Sequence, residues 1–63
     1  MKPEDDVLMR EADVRKRYGG VSAMWIVRRL ADDPNFPRPI YIAKRRFWRL
    51  ADFIAWERSK AAA

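Results

Sequence analysis

Tyr18-Gly19-Gly20-Val21-Ser22-Ala23-Met24-Trp25-Ile26-Val27-Arg28-Arg29-Leu30 joins a helix-stop signal to a helix-start signal within the four residues Gly19 to Ser22. Glycine adopts the left-handed backbone that closes a helix, so Gly19 or Gly20 supplies the stop. Ser22 can accept from a backbone N–H of the following turn and supplies the start. The stretch therefore predicts two helices joined by a tight turn, the unit that can present its second helix to a groove of a duplex.

Upstream of the turn, Glu11 to Tyr18 reads as a short helix with Ala12, Val14 and Tyr18 at helical offsets. Its acids precede Arg15, Lys16 and Arg17, which suits the helix dipole. Val7-Leu8-Met9 is a short apolar step expected to pack as an extended piece against the core, and residues 1–6 read as a flexible arm. Downstream, the second helix runs from Ser22 to about Ala31. Its wheel puts Ile26, Leu30 and Val27 on a core stripe and leaves Trp25, Arg28, Arg29 and part of Ala23 outside. Asp32-Asp33-Pro34 ends it, because the residue before proline is pushed out of helical geometry.

Phe36-Pro37-Arg38-Pro39 leads into Ile40-Tyr41-Ile42, a β-branched and aromatic run suited to a strand, and Arg46 to Leu50 is a second strand candidate. Paired, they make a short hairpin tipped by Lys44, Arg45 and Arg46. Asp52 to about Lys60 is the last helix, with Leu50, Phe53 and Trp56 inward, and residues 61–63 are expected to fray. Trp48, Trp56, Phe53, Phe36, Ile40 and Leu30 form the expected core. The organisation is one domain over residues 7–60.

A chain of 63 residues holds one small domain, and at this size only about 60% of the unfolded surface is buried. With no cysteine and no histidine, a disulfide framework, a zinc finger, a thiol nucleophile and a histidine acid/base pair are excluded. No catalytic residue, metal or cofactor is expected, and the expected location is the cytoplasm of a prokaryotic or phage-infected cell. The net charge is +5 and the isoelectric point about 10.2. Between Arg10 and Leu50 eleven Lys and Arg face four acids, a surplus of seven on the middle of the chain. That points to a polyanionic partner or, equally, to a solvated basic surface.

The order of elements and several residues resemble the small winged-helix proteins related to MerR DNA-binding domains, typified by AlpA-type phage regulators and phage excisionases. The resemblance covers roughly Leu8 to Ser59. It is carried by Val21-Ser22, by Met24, Ile26, Arg28 and Leu30, by Asp33-Pro34 and by Phe36-Pro37-Arg38-Pro39-Ile40. Arg45-Arg46-Phe47-Trp48-Arg49, Asp52-Phe53 and Ala55-Trp56-Glu57 complete it. It implies an α+β, mostly α, winged helix-turn-helix of three short helices with a β-hairpin wing. It also implies sequence-specific binding of double-stranded DNA, with the second helix in the major groove and the wing on the minor groove or phosphates. Transcription regulation of prophage genes, or DNA recombination as an excisionase working beside an integrase, is the role that follows. Departures are Ala23, where a base or polar residue is frequent, Trp25, where a small hydroxyl residue is, and Ala51, where a capping Ser is common. An uncapped start would weaken the last helix by about 1 kcal/mol unless Asp52 caps it.

The DNA-contact candidates are Ser22, Ala23, Trp25, Arg28 and Arg29 on the second helix, Arg15, Lys16 and Arg17 at the end of the first, and Lys44, Arg45 and Arg46 on the wing. Arg28 and Arg29 suit guanine edges or phosphates, against ion pairing with Asp32 or Asp33 as the plainer use. Trp25 is either exposed, to meet a sugar or a thymine methyl, or folded over Tyr18 or the wing. The chain is expected to be a monomer in solution that assembles on DNA. The rival reading is a protein-interaction adaptor of a phage or packaging complex. A membrane-surface peptide is disfavoured by Pro34, Pro37 and Pro39.

Overall fold

The computed structural model describes residues 7–62; the arm expected over residues 1–6 and the end of the expected frayed tail, Ala63, lie outside the described residues. The elements are β1 (Leu8–Met9), α1 (Glu11–Arg17), α2 (Ala23–Asp32), β2 (Ile40–Ile42), β3 (Arg45–Arg49) and α3 (Leu50–Ala61). Three helices surround one antiparallel sheet of order β1-β3-β2, an α+β arrangement that is about half helical. The apolar step at the start of the domain is thus a two-residue strand, with Leu8 opposite Arg49 and Met9 opposite Trp48.

Each helix end has a local cause. Asp13 accepts from the Arg10 N–H at 3.0 Å and closes the start of α1. At its other end Gly20 N–H donates to Arg15 at 2.8 Å and Gly19 N–H to Lys16 at 3.2 Å. This is the Schellman pattern, in which two orphan carbonyls find partners. Both glycines sit at φ near +80°, where a side chain would add strain. The Ser22 hydroxyl accepts from Trp25 N–H at 3.2 Å, so α2 starts as the sequence leads one to expect. For α3 the expectation fails. The helix begins at Leu50, whose N–H donates to Val7 at 3.1 Å, so Ala51 lies inside the helix and Asp52 in its first turn. The cap is a backbone carbonyl from the edge of the sheet, and a Ser at position 51 would cap nothing.

The core is Met9, Val14, Ile26, Phe36, Trp48 and Phe53, with Tyr18, Trp25, Leu30, Leu50 and Trp56 packed against it. Burying each large side chain contributes about 1.5–3 kcal/mol. Trp48 is fully buried, and its indole N–H donates to the Pro37 carbonyl at 3.2 Å, which avoids the cost of an orphan donor. Ile40, expected in the core, is only half-buried. It pairs with Phe47, and strand alternation puts both on the sheet face opposite Trp48 and Met9.

β2 and β3 pair Ile42 with Arg45, leaving Ala43 and Lys44 as a two-residue loop. Their φ values are 51° and 67°, the left-handed pair that a type I′ turn requires and that Asn-Gly normally supplies. Arg45 and Arg46 consequently belong to the strand rather than to the tip. Replacing Lys44 with glycine relieves one strained residue, and Lys44→Gly is expected to raise the unfolding free energy by about 1 kcal/mol in chemical denaturation.

Candidate nucleic-acid interface

The outward side of α2 is set by what its inward side packs on. Trp25 lies 5.4 Å from Tyr18 and 6.1 Å from Phe36 between ring centroids, and Ile26 is fully buried. This turns the helix relative to the sequence expectation. Trp25 is half-buried against Tyr18, the second of the two dispositions the sequence left open, and Val27, expected on the core stripe, is 45% exposed. Val27 lies beside Ile26 on the wheel but turns outward because Trp25 is drawn inward by rings that are not on α2. The neighbours that decide the matter, Tyr18 and Phe36, come from other segments. Ala23, Met24, Val27, Arg28, Ala31 and Asp32 form the exposed face.

The basic candidates divide by partner. Arg17 donates through Nε and Nη2 to the two Glu57 oxygens, both at 2.7 Å, and is thereby committed within the protein. Arg15 Nε donates to the Val21 carbonyl at 2.8 Å and braces the α1–α2 turn. Arg29 lies over the Trp25 ring at 5.7 Å with Asp32 at 4.0 Å. By contrast Lys16, Arg28, Lys44, Arg45 and Arg46 are exposed, and their side chains make no hydrogen bond or ion pair among the described residues. Ser22 caps α2, and Ala23 carries no polar group.

One cation that sequence reasoning left without a role, Arg38, donates to the Leu30 carbonyl at 2.7 Å and holds the last turn of α2. Asp33 gathers the Asn35 N–H at 2.9 Å, the Trp56 indole N–H at 3.1 Å and Lys60 Nζ at 3.0 Å. It pins the end of α2 to α3. Nothing in the spacing signals these pairings, which span 23 residues for Trp56 and Asp33.

Comparison with protein-family models, curated protein sequences and solved structures returned no match. Among the described residues, no helix is long and apolar enough to cross a membrane, and no group of three or more acidic, histidine or cysteine side chains could hold a metal ion.

Two carboxylates make the frame sensitive to acid. The Arg17 guanidinium, with the Tyr18 hydroxyl donating at 2.6 Å, holds Glu57 below the usual carboxylate range. Lys60, then the Asn35 N–H and the Trp56 indole, do the same for Asp33. Burial and the neighbouring Glu57 push the Tyr18 phenol up, which keeps it a donor. A depressed carboxylate means that the unfolded chain binds more protons in acid. The stabilisation is therefore complete above the unfolded value of about 4 and disappears as pH falls through the lower folded values. Thermal unfolding followed between pH 7 and pH 2 is expected to show the midpoint dropping below about pH 4. Glu57→Gln should be less stable at neutral pH and lose less on acidification.

Proposed function

We propose that this chain is a small winged helix-turn-helix protein that binds double-stranded DNA without catalysis. In this reading α2 enters the major groove, and the β2–β3 hairpin lies on the backbone or in the minor groove. The observation that carries the reading is the partition of its cations. Arg17 and Lys60 are spent on carboxylates and Arg38 on carbonyls, within the fold. Among the described residues the cations whose side chains have no partner lie mostly at the end of α1, on the outward side of α2 and on the hairpin, with Arg10 before α1 and Arg58 on α3 outside that set. A duplex offers phosphates along such a surface, and release of its counterions supplies most of the affinity.

The hairpin tip supports the same reading. Lys44 stands at a left-handed position that glycine or asparagine would occupy with less strain, and strain kept in a fold points to use of the residue that bears it. The resemblance to AlpA-type regulators and excisionases supplies the biological role: a prophage-type transcriptional regulator, or a directionality factor acting with an integrase. Protection of a promoter in a footprint on DNA of the source replicon supports the first, and phased sites beside an attachment site support the second.

One observation favours the adaptor alternative. Met24 and Val27, at 54% and 45% exposure, make the outward face of α2 more apolar than a phosphate-binding surface needs. Titration with duplex DNA, observed through amide shifts, separates the two. Shifts in residues 22–29 together with 44–46 support DNA; a titration that leaves both segments unshifted favours a protein partner for the α2 face. With about five phosphates neutralised, log affinity is expected to fall with log salt at a slope of about −4 to −5, and an isotherm indifferent to salt would refute the reading. Arg28→Ala should cost about 1–3 kcal/mol on the selected sequence and relax discrimination at one position, whereas Lys44→Ala should weaken all sequences alike. Equal behaviour of the two variants on selected and random duplexes would refute this division.

A further inference from the structure

We propose that α2 selects its DNA target mainly through the 5-methyl groups of thymine, contacted by Met24 and Val27, with Arg28 as the one hydrogen-bonding reader. The inference rests on the duplex-DNA reading above and deepens it by naming what the helix recognises.

The outward face of α2 offers few hydrogen-bonding groups. Its exposed members are Ala23, Met24, Val27, Arg28, Ala31 and Asp32. Four of these carry no hydrogen-bonding group. The hydroxyl of Ser22, at the start of the helix, accepts from Trp25 N–H. Asp32, at the far end, is paired loosely with Arg29 at 4.0 Å. Trp25 is half-buried, its ring packed against Tyr18 and Phe36. Arg28 remains, with no partner among the described residues.

The major groove identifies base pairs by donors, by acceptors and by a single apolar group, the thymine methyl. A helix face with one unpartnered fork of donors, Asp32 at its far end and otherwise methyl and thioether groups discriminates chiefly in two ways: arginine on guanine O6 and N7, and apolar contact on thymine. Met24 and Val27 flank Arg28 at helical offsets of four and one. Met24 and Arg28 are separated by about 6 Å along the helix axis, close to two base-pair steps at about 3.4 Å each. The expected target therefore carries thymine within about two base pairs of a guanine. The charges around this strip select the occupant. Lys16 and Arg28 are exposed with no partner among the described residues, and cations bordering an apolar strip match a groove whose walls are phosphate and whose floor bears methyl groups.

The test begins with duplexes enriched from a random pool by the full chain, then remade with deoxyuridine in place of thymidine, which removes the methyl and keeps the hydrogen-bonding edge. Each contacted methyl should be worth about fourfold in affinity, from about 0.8 kcal/mol per buried carbon. The thymine-to-uracil ratio should stay the same as salt is raised, because the contact releases no counterion, while overall affinity falls. Met24→Ala combined with Val27→Ala alters only exposed side chains. A circular dichroism spectrum like that of the parent should accompany a ratio near one, with the salt slope unchanged.

Equal affinity for thymine and uracil duplexes, with binding still dependent on salt, overturns methyl reading and leaves the DNA interface standing. A ratio that persists in the double variant overturns the assignment to Met24 and Val27. Failure of any duplex to be enriched overturns the DNA reading itself, and this inference with it.

Discussion

Phe36 meets Trp25, Phe53 and Trp56 with ring centroids 6.1, 5.6 and 5.1 Å away, each nearly edge to face. Tyr18 closes the same cluster from α1, against Trp25, Phe53 and Trp56. Five rings from α1, α2, α3 and the loop between α2 and β2 thus share one contact region. The cluster adjoins the rest of the core, Trp48, Ile26, Val14 and Met9, and edge-to-face pairs add about 0.5–1.5 kcal/mol each to what burial contributes. The rotation of α2 about its own axis follows from the cluster. Once the Trp25 indole is claimed by Tyr18 and Phe36, Met24, Val27 and Arg28 are left facing outward.

Polar links hold the aromatic cluster in register. Glu57 ties α3 to the end of α1, and Asp33 ties the end of α2 to Trp56 and Lys60. These carboxylates are partly shielded, and their value lies in direction more than in strength, since exposed ion pairs contribute little. They also dispose of cations: among the described residues most of the charge left unpaired lies on α2, the end of α1 and the hairpin, with Arg10 and Arg58 elsewhere. A net charge of +5 could have been spread evenly over the surface, and the internal pairings give it a side.

Much of the frame was legible along the chain. The double glycine before Ser22, acids before bases in α1, and β-branched and aromatic runs on either side of a basic turn each describe a local event whose cause lies within a few residues. The place of α3 was less legible. Its start depends on Leu50 N–H meeting the Val7 carbonyl, a partner 43 residues away in sequence. The hairpin tip hid for a different reason: Ala43 and Lys44 form a tight turn without the usual turn residues, so composition could not mark it.

The candidate site shows the same division. The presence of a second helix with arginines, and of a basic hairpin after it, follows from residue order, because propensity, capping and charge are local properties. Which of those cations are available, and which face of α2 looks outward, was decided only by tertiary packing. Arg17 and Glu57 are 40 residues apart, and Trp25 is buried by rings from two other segments. The choice between an exposed and a packed indole is settled by apolar area that only the folded chain brings together, and no pattern along α2 alone contains it.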